Sequence, residues 1–228
     1  MTESGLQSQA ELVAQVEALL RQGKNVYQPL YNYPHGQSIP PLRRCDDRCA
    51  AVHAALGPDI TGKRLLDVGC SLGYNTLYFV DRGMVGHGID ILERNVALCR
   101  MMQCFTPGEV RFEQAALTHS LVDDIAPGTY DVAFFFSVLH HIIETHGLTH
   151  VQELMRTVLE KIPVIFVELA LRSETPPPGY TWDAHLPENA LTLFETCGAS
   201  EITLIGHFPT HVGPVTRPLY RITVRADG

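Results

Sequence analysis

The 228-residue sequence lacks the features that mark several common protein classes. It contains no run of about 18 apolar residues, so we expect no membrane span. Lysine and arginine number 17 against 25 aspartates and glutamates, which gives a net charge of −8. A chain this acidic, without a basic run, is a poor candidate for nucleic-acid binding.

Cys-x-x-Cys pairs are also missing, and we expect no signal peptide. The six cysteines include no Cys-x-x-Cys pair, so a zinc knuckle is not expected. The amino-terminal segment carries Glu3 and Glu11 and no cationic start, which argues against a secretory signal. We therefore expect the cysteine thiols to be reduced and the protein to be cytoplasmic.

Apolar runs typical of strands alternate with helical patterns from Arg64 onward. The predicted strands are residues 64–68, 85–90, 110–115, 130–139 and 163–169. The predicted helices are residues 74–83, 93–103, 149–161 and 187–198. This alternation favours a parallel sheet with helices on both faces. Two last strands, 202–208 and 218–224, are separated by only nine residues, so we expect them to pair antiparallel.

A different pattern precedes this core. Residues 6–22 read as an amphipathic helix, 26–41 as an aromatic and proline-rich loop, and 42–56 as a second helix. The pattern changes at Gly57, so we divide the chain into residues 1–57 and 58–228. The long first helix could contribute to a homodimer or only cover the core.

The strongest motif is LLDVGCSLGYNT at residues 65–76, where a strand runs through a glycine turn into a helix. Gly69 and Gly73 lie too far apart for a dinucleotide fingerprint, and Asp67 before them would repel a phosphate. Asp90, at the end of the second strand, is placed to accept hydrogen bonds from a ribose diol. A ligand with a ribose, no phosphate and a cationic amino-acid end is S-adenosylmethionine.

Residues 64–139 resemble the core of class I S-adenosylmethionine-dependent methyltransferases. The resemblance implies a Rossmann-like α/β fold with a seven-stranded sheet and antiparallel last strands. It also implies cofactor contacts at Asp67, Gly69, Cys70, Gly73, Tyr74, Asp90, Ile91, Gln114, Ala115 and Phe136. Gln114 and Ala115 stand where many members carry an acid for the adenine amino group.

A closer resemblance, to saccharide-capping methyltransferases, rests on VYQPLYNYPHG, RRCDDR, FSVLHHIIETHGL, VIFVELA and FPTHVGPVTRPLY. This group includes enzymes that terminate polymannose O-antigen and mycobacterial enzymes that cap methylmannose polysaccharide, which we favour. The resemblance implies that residues 1–57 form a helical lid in which Tyr27, Gln28 and Arg48 reach the methionine carboxylate.

The function favoured by this resemblance is 1-O-methylation of the reducing end of a short 3-O-methylated mannoside. The alternatives are methylation of a phosphate on a mannose polymer end, O-methylation of another small molecule, and a binding protein that senses S-adenosylmethionine without turnover. A sensor would need no base beside the methyl group, so the histidine-rich segment that follows the fourth strand counts against it.

That segment supplies the candidate catalytic residues His140, His141, Glu144 and His146. Methyl transfer to an alcohol needs an aligned acceptor and a base, and histidine titrates near neutrality. His141 is the first choice for the base and His146 the second, with His140 expected to point into the core. A magnesium site formed by His141, Glu144 and Glu168 is a further hypothesis, although oxygen ligands are few for a hard cation.

The acceptor wall is expected to combine lid and tail residues. Aromatic faces suit stacking against a sugar ring, and cationic side chains suit its hydroxyls or a phosphate. The candidate acceptor-binding residues are Tyr33, Glu168, Trp182, His211 and Arg217.

Overall fold

A computed structural model describes residues 3–23 and 26–224. The helices are α1 (Glu3–Gln22), α2 (Asp46–Leu56), α3 (Tyr74–Val80), α4 (Glu93–Met102), α5 (His119–Asp123), α6 (Leu139–His146), α7 (Leu148–Lys161), α8 (Trp182–His185) and α9 (Thr192–Glu195). The strands are β1 (Arg64–Val68), β2 (Val85–Asp90), β3 (Val110–Gln114), β4 (Val132–Phe136), β5 (Val164–Glu168), β6 (Glu201–Pro209) and β7 (Thr216–Thr223). None of the helices in this described part is long and apolar enough to cross a membrane.

The seven strands form one sheet in the order β3-β2-β1-β4-β5-β7-β6. Strands β1 to β5 are parallel, and β7 runs antiparallel to both β5 and β6. The predicted sheet and the antiparallel pairing of its last two strands are confirmed. Because the chain moves outward from β1 and then returns to β4, the carboxyl ends of these two strands border a crevice of the kind that binds ligands.

Alternate residues of β4 pack into two different hydrophobic layers. Ala133 and Phe135 belong to a cluster with α6 and α7, whereas Phe134 packs with Phe79 of α3 and Val52 of α2. Side chains of a strand point alternately to opposite faces, and every residue of β4 is buried. The continuous apolar run of this strand is therefore explained by helices on both sides of the sheet.

The segment before the sheet packs on α4 rather than standing apart. Val16 and Leu20 of α1 share a buried cluster with Val96 and Leu98. The hydroxyl of Tyr31 donates to Asp81 over 2.8 Å. The amino-terminal segment thus forms one wall above the carboxyl end of the sheet.

Two sequence predictions about secondary structure are wrong. The predicted strand 130–139 ends at Phe136, and α6 begins at Leu139, because Ser137 adopts a left-handed conformation (φ 58°) that ends the extended chain. The predicted helix 187–198 is reduced to α9. The side chain of Asn189 accepts from the Leu191 amide over 3.0 Å, a local turn that competes with helix at this point.

Candidate functional site

A cavity of about 710 Å³ opens at the carboxyl ends of β1, β2 and β4. One half is lined by the glycine turn after β1, the end of β2 and the start of α4. The other half is lined by α6, by the segment that carries Tyr180 and Trp182, and by His211 and Arg217. We call these the cofactor half and the acceptor half. Tyr27 and Phe136 also line the cavity.

The glycine turn is held against Asp90. Gly69 has a φ of 70°, and a Cβ built there would lie 2.9 Å from Cγ2 of Val138, so the turn needs glycine for both reasons. Asp90 accepts from the amides of Ser71 and Leu92, each over 2.9 Å. Burial raises the pKa of Asp90, and these hydrogen bonds oppose the rise. The carboxylate is fixed at the cavity wall before any ligand arrives.

Asp67 lies beneath the turn rather than in the cavity. Its carboxylate is buried and accepts from the hydroxyl of Thr76 over 2.6 Å. Burial raises the pKa of Asp67 to about 7. The side chain therefore links the end of β1 to the first turn of α3.

The structure brings together only some of the predicted cofactor residues. Those that line the cavity are Tyr27, Gly69, Asp90, Ile91, Ala115 and Phe136. Those that lie outside its lining are Gln28, Arg48, Asp67, Cys70, Gly73, Tyr74 and Gln114. The Gln114 side chain is exposed and donates to the Ile91 carbonyl over 3.1 Å, and Gln28 is buried in the amino-terminal wall.

Glu168 is the centre of a buried ion-pair network beside the cavity. Its carboxylate is fully buried and accepts from Nη2 of Arg43, at 3.2 and 3.3 Å to its two oxygens. It also accepts from Nε of Arg48 and from the hydroxyl of Ser137. Burial alone would raise the pKa of Glu168, but the two guanidinium groups hold it below its usual value. Glu168 therefore fastens the amino-terminal segment to the end of β5 and does not line the cavity.

Arg48 is fully engaged by this network. Besides Glu168 it donates to Asp47 over 3.1 Å, to the Arg44 carbonyl over 3.2 Å and to the Pro209 carbonyl. Its side chain is 1% exposed. The guanidinium donors of Arg48 are thus taken by protein acceptors, and its reach to the methionine carboxylate stays a prediction.

Ser137 joins two buried ion pairs. Its hydroxyl oxygen lies 3.1 Å from a guanidinium nitrogen of Arg43 and 3.1 Å from one of Arg217. Arg217 in turn forms a two-pronged pair with Glu174, with Nε to Oε1 at 2.8 Å and Nη2 to Oε2 at 2.6 Å. The left-handed backbone of Ser137 places its side chain at this junction, directly after β4.

Helix α6 presents the histidines to the cavity. His140 is 1% exposed, and its ring packs 4.8 Å from Trp182 and 4.2 Å from His141. His141 is half-buried and packs against both Tyr180 (5.2 Å) and Trp182 (5.4 Å). Burial is the main cause that lowers the pKa of both histidines. Both rings are therefore neutral near pH 7.

The predicted magnesium ligands do not form a metal site. Across residues 3–23 and 26–224, no group of three histidine, cysteine, aspartate or glutamate side chains could hold a metal ion. Glu168 is taken by arginines, and Glu144 accepts from the amide and the hydroxyl of Thr181. The hypothesis that His141, Glu144 and Glu168 bind magnesium is corrected accordingly.

The remaining candidate residues also divide into those that line the cavity and those that lie outside it. His146, Trp182, His211 and Arg217 line the acceptor half, as do His140, His141 and Glu144. Tyr33 lies outside the cavity, packed 5.8 Å from Phe105. The sequence reasoning missed Arg43, Ser137, Glu174 and Tyr180. Only the TPPPGYTW segment offered a signal, since three prolines and a glycine before two aromatic residues indicate an ordered loop.

The model of one protein family, described as a methyltransferase domain, matches residues 42–200. The chain belongs to this methyltransferase family. Together with the strand order and the glycine turn, this match confirms the predicted class I S-adenosylmethionine-dependent methyltransferase. The match covers the sheet up to β5 and the histidines of α6, whereas Tyr27, His211 and Arg217 line the cavity from outside the matched residues.

The methyltransferase is similar to two Escherichia coli proteins named O-antigen chain terminator bifunctional methyltransferase/kinase WbdD. Each is 27% identical over 215 residues, covering 91% of this chain and 29% of the relative. A crystal structure of WbdD superposes with a TM-score of 0.78 at 25% identity, covering 91% of this chain and 46% of that one. This chain thus spans less than half the length of these relatives.

More distant structures share the fold alone. Magnesium protoporphyrin IX methyltransferase from Synechocystis PCC 6803, solved with bound SAM, has a TM-score of 0.56 at 15% identity, covering 79% of this chain and 77% of that one. The methyltransferase sheet is therefore shared by proteins whose sequences differ widely.

Proposed function

We propose that this methyltransferase transfers a methyl group from S-adenosylmethionine to a saccharide hydroxyl. The proposed acceptor is the reducing-end 1-OH of a short 3-O-methylated mannoside, so that the reaction caps the chain. The observation that carries this proposal is the continuity of one cavity, which joins the fixed carboxylate of Asp90 to a neutral histidine flanked by aromatic rings.

The cofactor half fits S-adenosylmethionine by its chemistry. Asp90 offers a carboxylate to a ribose diol, and the exposed side chain of Ile91 with Ala115 offers an apolar surface for a base. The tight turn at Gly69 lets the backbone approach the amino-acid part closely. The bound cofactor supplies an activated methyl group on a sulfonium, so the protein has to position the acceptor and accept a proton.

His141 is the proposed base. In-line transfer forms a carbon–oxygen bond as the carbon–sulfur bond breaks, and the hydroxyl proton passes to the imidazole. The ring is neutral near pH 7 because burial lowers its pKa, so it can accept this proton without first losing one. The anomeric hydroxyl is the most acidic hydroxyl of a free sugar, which makes one histidine sufficient.

A phosphate on a mannose polymer end is the second candidate acceptor. Arg217 lines the acceptor half next to His211 and would attract an anion. However, Glu174 already neutralises Arg217 through a two-pronged pair inside the protein. This pairing favours a neutral hydroxyl over a phosphate.

The test is isotope-labelled methyl transfer to short 3-O-methylated mannosides, each with a free or a blocked reducing end, and to a mannose phosphate. We expect label only in the acceptor with the free end, with equal rates in magnesium and in EDTA. Label in the phosphate alone would replace the hydroxyl by the second candidate. No label in any acceptor, with cofactor binding intact, would refute the saccharide assignment.

A further inference from the structure

Residues 171–186, which follow β5 and include α8, cover the acceptor half of the cavity; we call them the acceptor flap. Pro177, Tyr180 and Trp182 of the flap line the cavity. The segment contains three consecutive prolines followed by Gly179, which has a φ of 97°. Prolines restrict the backbone, and the left-handed glycine turns the chain so that the aromatic residues follow at once.

Two carboxylates hold the flap in place, one within the flap itself and one on α6. Glu174, inside the flap, pairs with Arg217 of β7 and also accepts from the Leu171 amide over 2.8 Å. Glu144 of α6 accepts from the amide of Thr181 and, over 3.0 Å, from its hydroxyl. Thr181 stands between the two aromatic residues that face the cavity, so this second anchor sets their position directly.

The aromatic residues of the flap form a platform with the proposed base. Tyr180 and Trp182 lie 5.3 Å apart, and His141 packs against both. Tyr180 is 47% exposed, whereas Trp182 is 2% exposed. The indole nitrogen of Trp182 is buried without a hydrogen-bond partner among the described residues. A ligand with an apolar ring face and several hydroxyls matches such a platform, because it offers both stacking area and oxygen acceptors.

We propose that Glu144 is a positioning residue that, through Thr181, sets the acceptor flap as the specificity-determining wall of the site. Glu144 thus acts on acceptor binding rather than on the chemical step or on a metal ion. The saccharide class of the acceptor rests on the proposed function above. The position of the flap itself does not, and the two are tested separately.

Trp182 reports on the flap because it is the single tryptophan of the chain. Acrylamide quenching of its fluorescence is measured on protein loaded with S-adenosylhomocysteine. We expect Glu144→Ala to raise the quenching constant about threefold or more, since the flap loses its anchor to α6. Glu144→Gln keeps an oxygen acceptor and should stay near the wild type. Glu160→Ala, at an exposed glutamate of α7, is the matched control.

Thr181→Val removes only the hydroxyl donor, so a smaller rise is expected, and this variant keeps the test valid if Glu144→Ala does not fold. Quenching constants equal to the wild type in both variants would overturn the role of Glu144. A quenching constant that rises as much in Glu144→Gln as in Glu144→Ala would also overturn this role, because the amide oxygen of glutamine can still accept the hydrogen bonds from Thr181.

Kinetics then separates positioning from chemistry. Loss of both anchoring hydrogen bonds to Thr181 should raise the KM for the 3-O-methylated mannoside about tenfold in Glu144→Ala, with kcat and S-adenosylhomocysteine affinity within about twofold. A fall in kcat at unchanged KM would place Glu144 in the chemical step and overturn the proposal. If the wild type methylates no saccharide, the proposed function fails, and the quenching experiment still decides whether Glu144 holds the flap.

Discussion

The two halves of the cavity are built in different ways. In the cofactor half, the wall comes from short stretches of chain, such as the turn at Gly69 and the rim at Asp90, tied together by backbone amides. In the acceptor half, the wall is held by buried side-chain pairs between distant parts of the sequence. Arg43 and Glu168 are 125 residues apart, and Ser137 and Arg217 are 80 apart.

This difference in construction fits the different tasks of the two halves, which are cofactor binding and acceptor binding. A backbone turn held by local hydrogen bonds can be kept while the acceptor changes, which suits a cofactor shared by a whole family. Side-chain pairs that join distant elements can be replaced one at a time, which suits a wall that differs between relatives. The comparison predicts that substitutions in the two halves separate cofactor affinity from acceptor chemistry.

The largest expected effect is on turnover, from His141→Ala. Removal of a general base typically lowers kcat by about 10² to 10⁴ fold. S-adenosylhomocysteine affinity, measured by calorimetry, should stay unchanged because the ring lies in the acceptor half. Because burial lowers the pKa of His141 below its ordinary value, wild-type activity should persist through neutral pH and fall only in more acidic solution, where the imidazole gains a proton. Unchanged turnover in the variant would assign the base elsewhere.

Glu168→Ala should give the largest loss of stability. It leaves Arg43 and Arg48 buried without their shared carboxylate, and breaking a buried pair this way costs about 3–5 kcal/mol. Urea unfolding measures the loss. Arg64→Ala is the control, since the Arg64–Asp131 pair is about 40% exposed and should contribute less than about 1 kcal/mol. Equal losses in the two variants would contradict the structural role of the network.

The contrast between the halves also explains what the sequence could predict. Gly69, Asp67 and Asp90 follow a recognisable strand–turn–helix pattern, so the fold could be predicted from local order, and Gly69 and Asp90 line the cavity as expected. Arg43 carries no such pattern, and only the folded chain shows that it reaches Glu168. The family resemblance gave Arg48 the role of a ligand cation, and nothing in the sequence near it shows that it donates to Glu168 and to the Pro209 carbonyl in the folded chain.

Helix α6 was missed for a related reason. Its first residues continue the apolar run of β4, and periodicity alone cannot separate a buried strand from the helix that follows it. The break lies at Ser137, whose positive φ is unusual for a residue other than glycine and has no sequence marker. His140 and His141 therefore lie on a helix, although the sequence placed them at a strand end.

Asp67, beneath the glycine turn, should make the stability of the protein depend on pH. Its pKa is about 7 in the folded chain against an ordinary 3.8, so the folded state keeps the proton longer than the unfolded state. The stability it contributes is complete below pH 3.8 and is lost as pH rises toward 7. Relative to Asp67→Asn, the free energy of unfolding of the wild type should fall by about 1.4 kcal/mol per pH unit over this range.

Denaturant unfolding of the two proteins from pH 4 to pH 8 gives this difference directly. Above pH 7 the difference should become constant. Thr76→Val serves as a second variant, because it removes the hydroxyl that donates to the carboxylate and should raise the pKa further. A difference that does not change with pH would mean that Asp67 titrates normally despite its burial.

Gly69→Ala should have the smallest effect of the four, and it isolates the close approach on which the cofactor half depends. The positive φ alone costs an alanine about 1–2 kcal/mol, and contact with Val138 adds to this. Gly128→Ala provides the φ cost alone, since Gly128 has a φ of 74° and nothing within 4 Å of its Cβ position. The excess loss in Gly69→Ala should shrink in the double variant with Val138→Ala. Equal losses at Gly69 and Gly128 would show that the turn requires glycine for its backbone conformation and not for the approach of Val138.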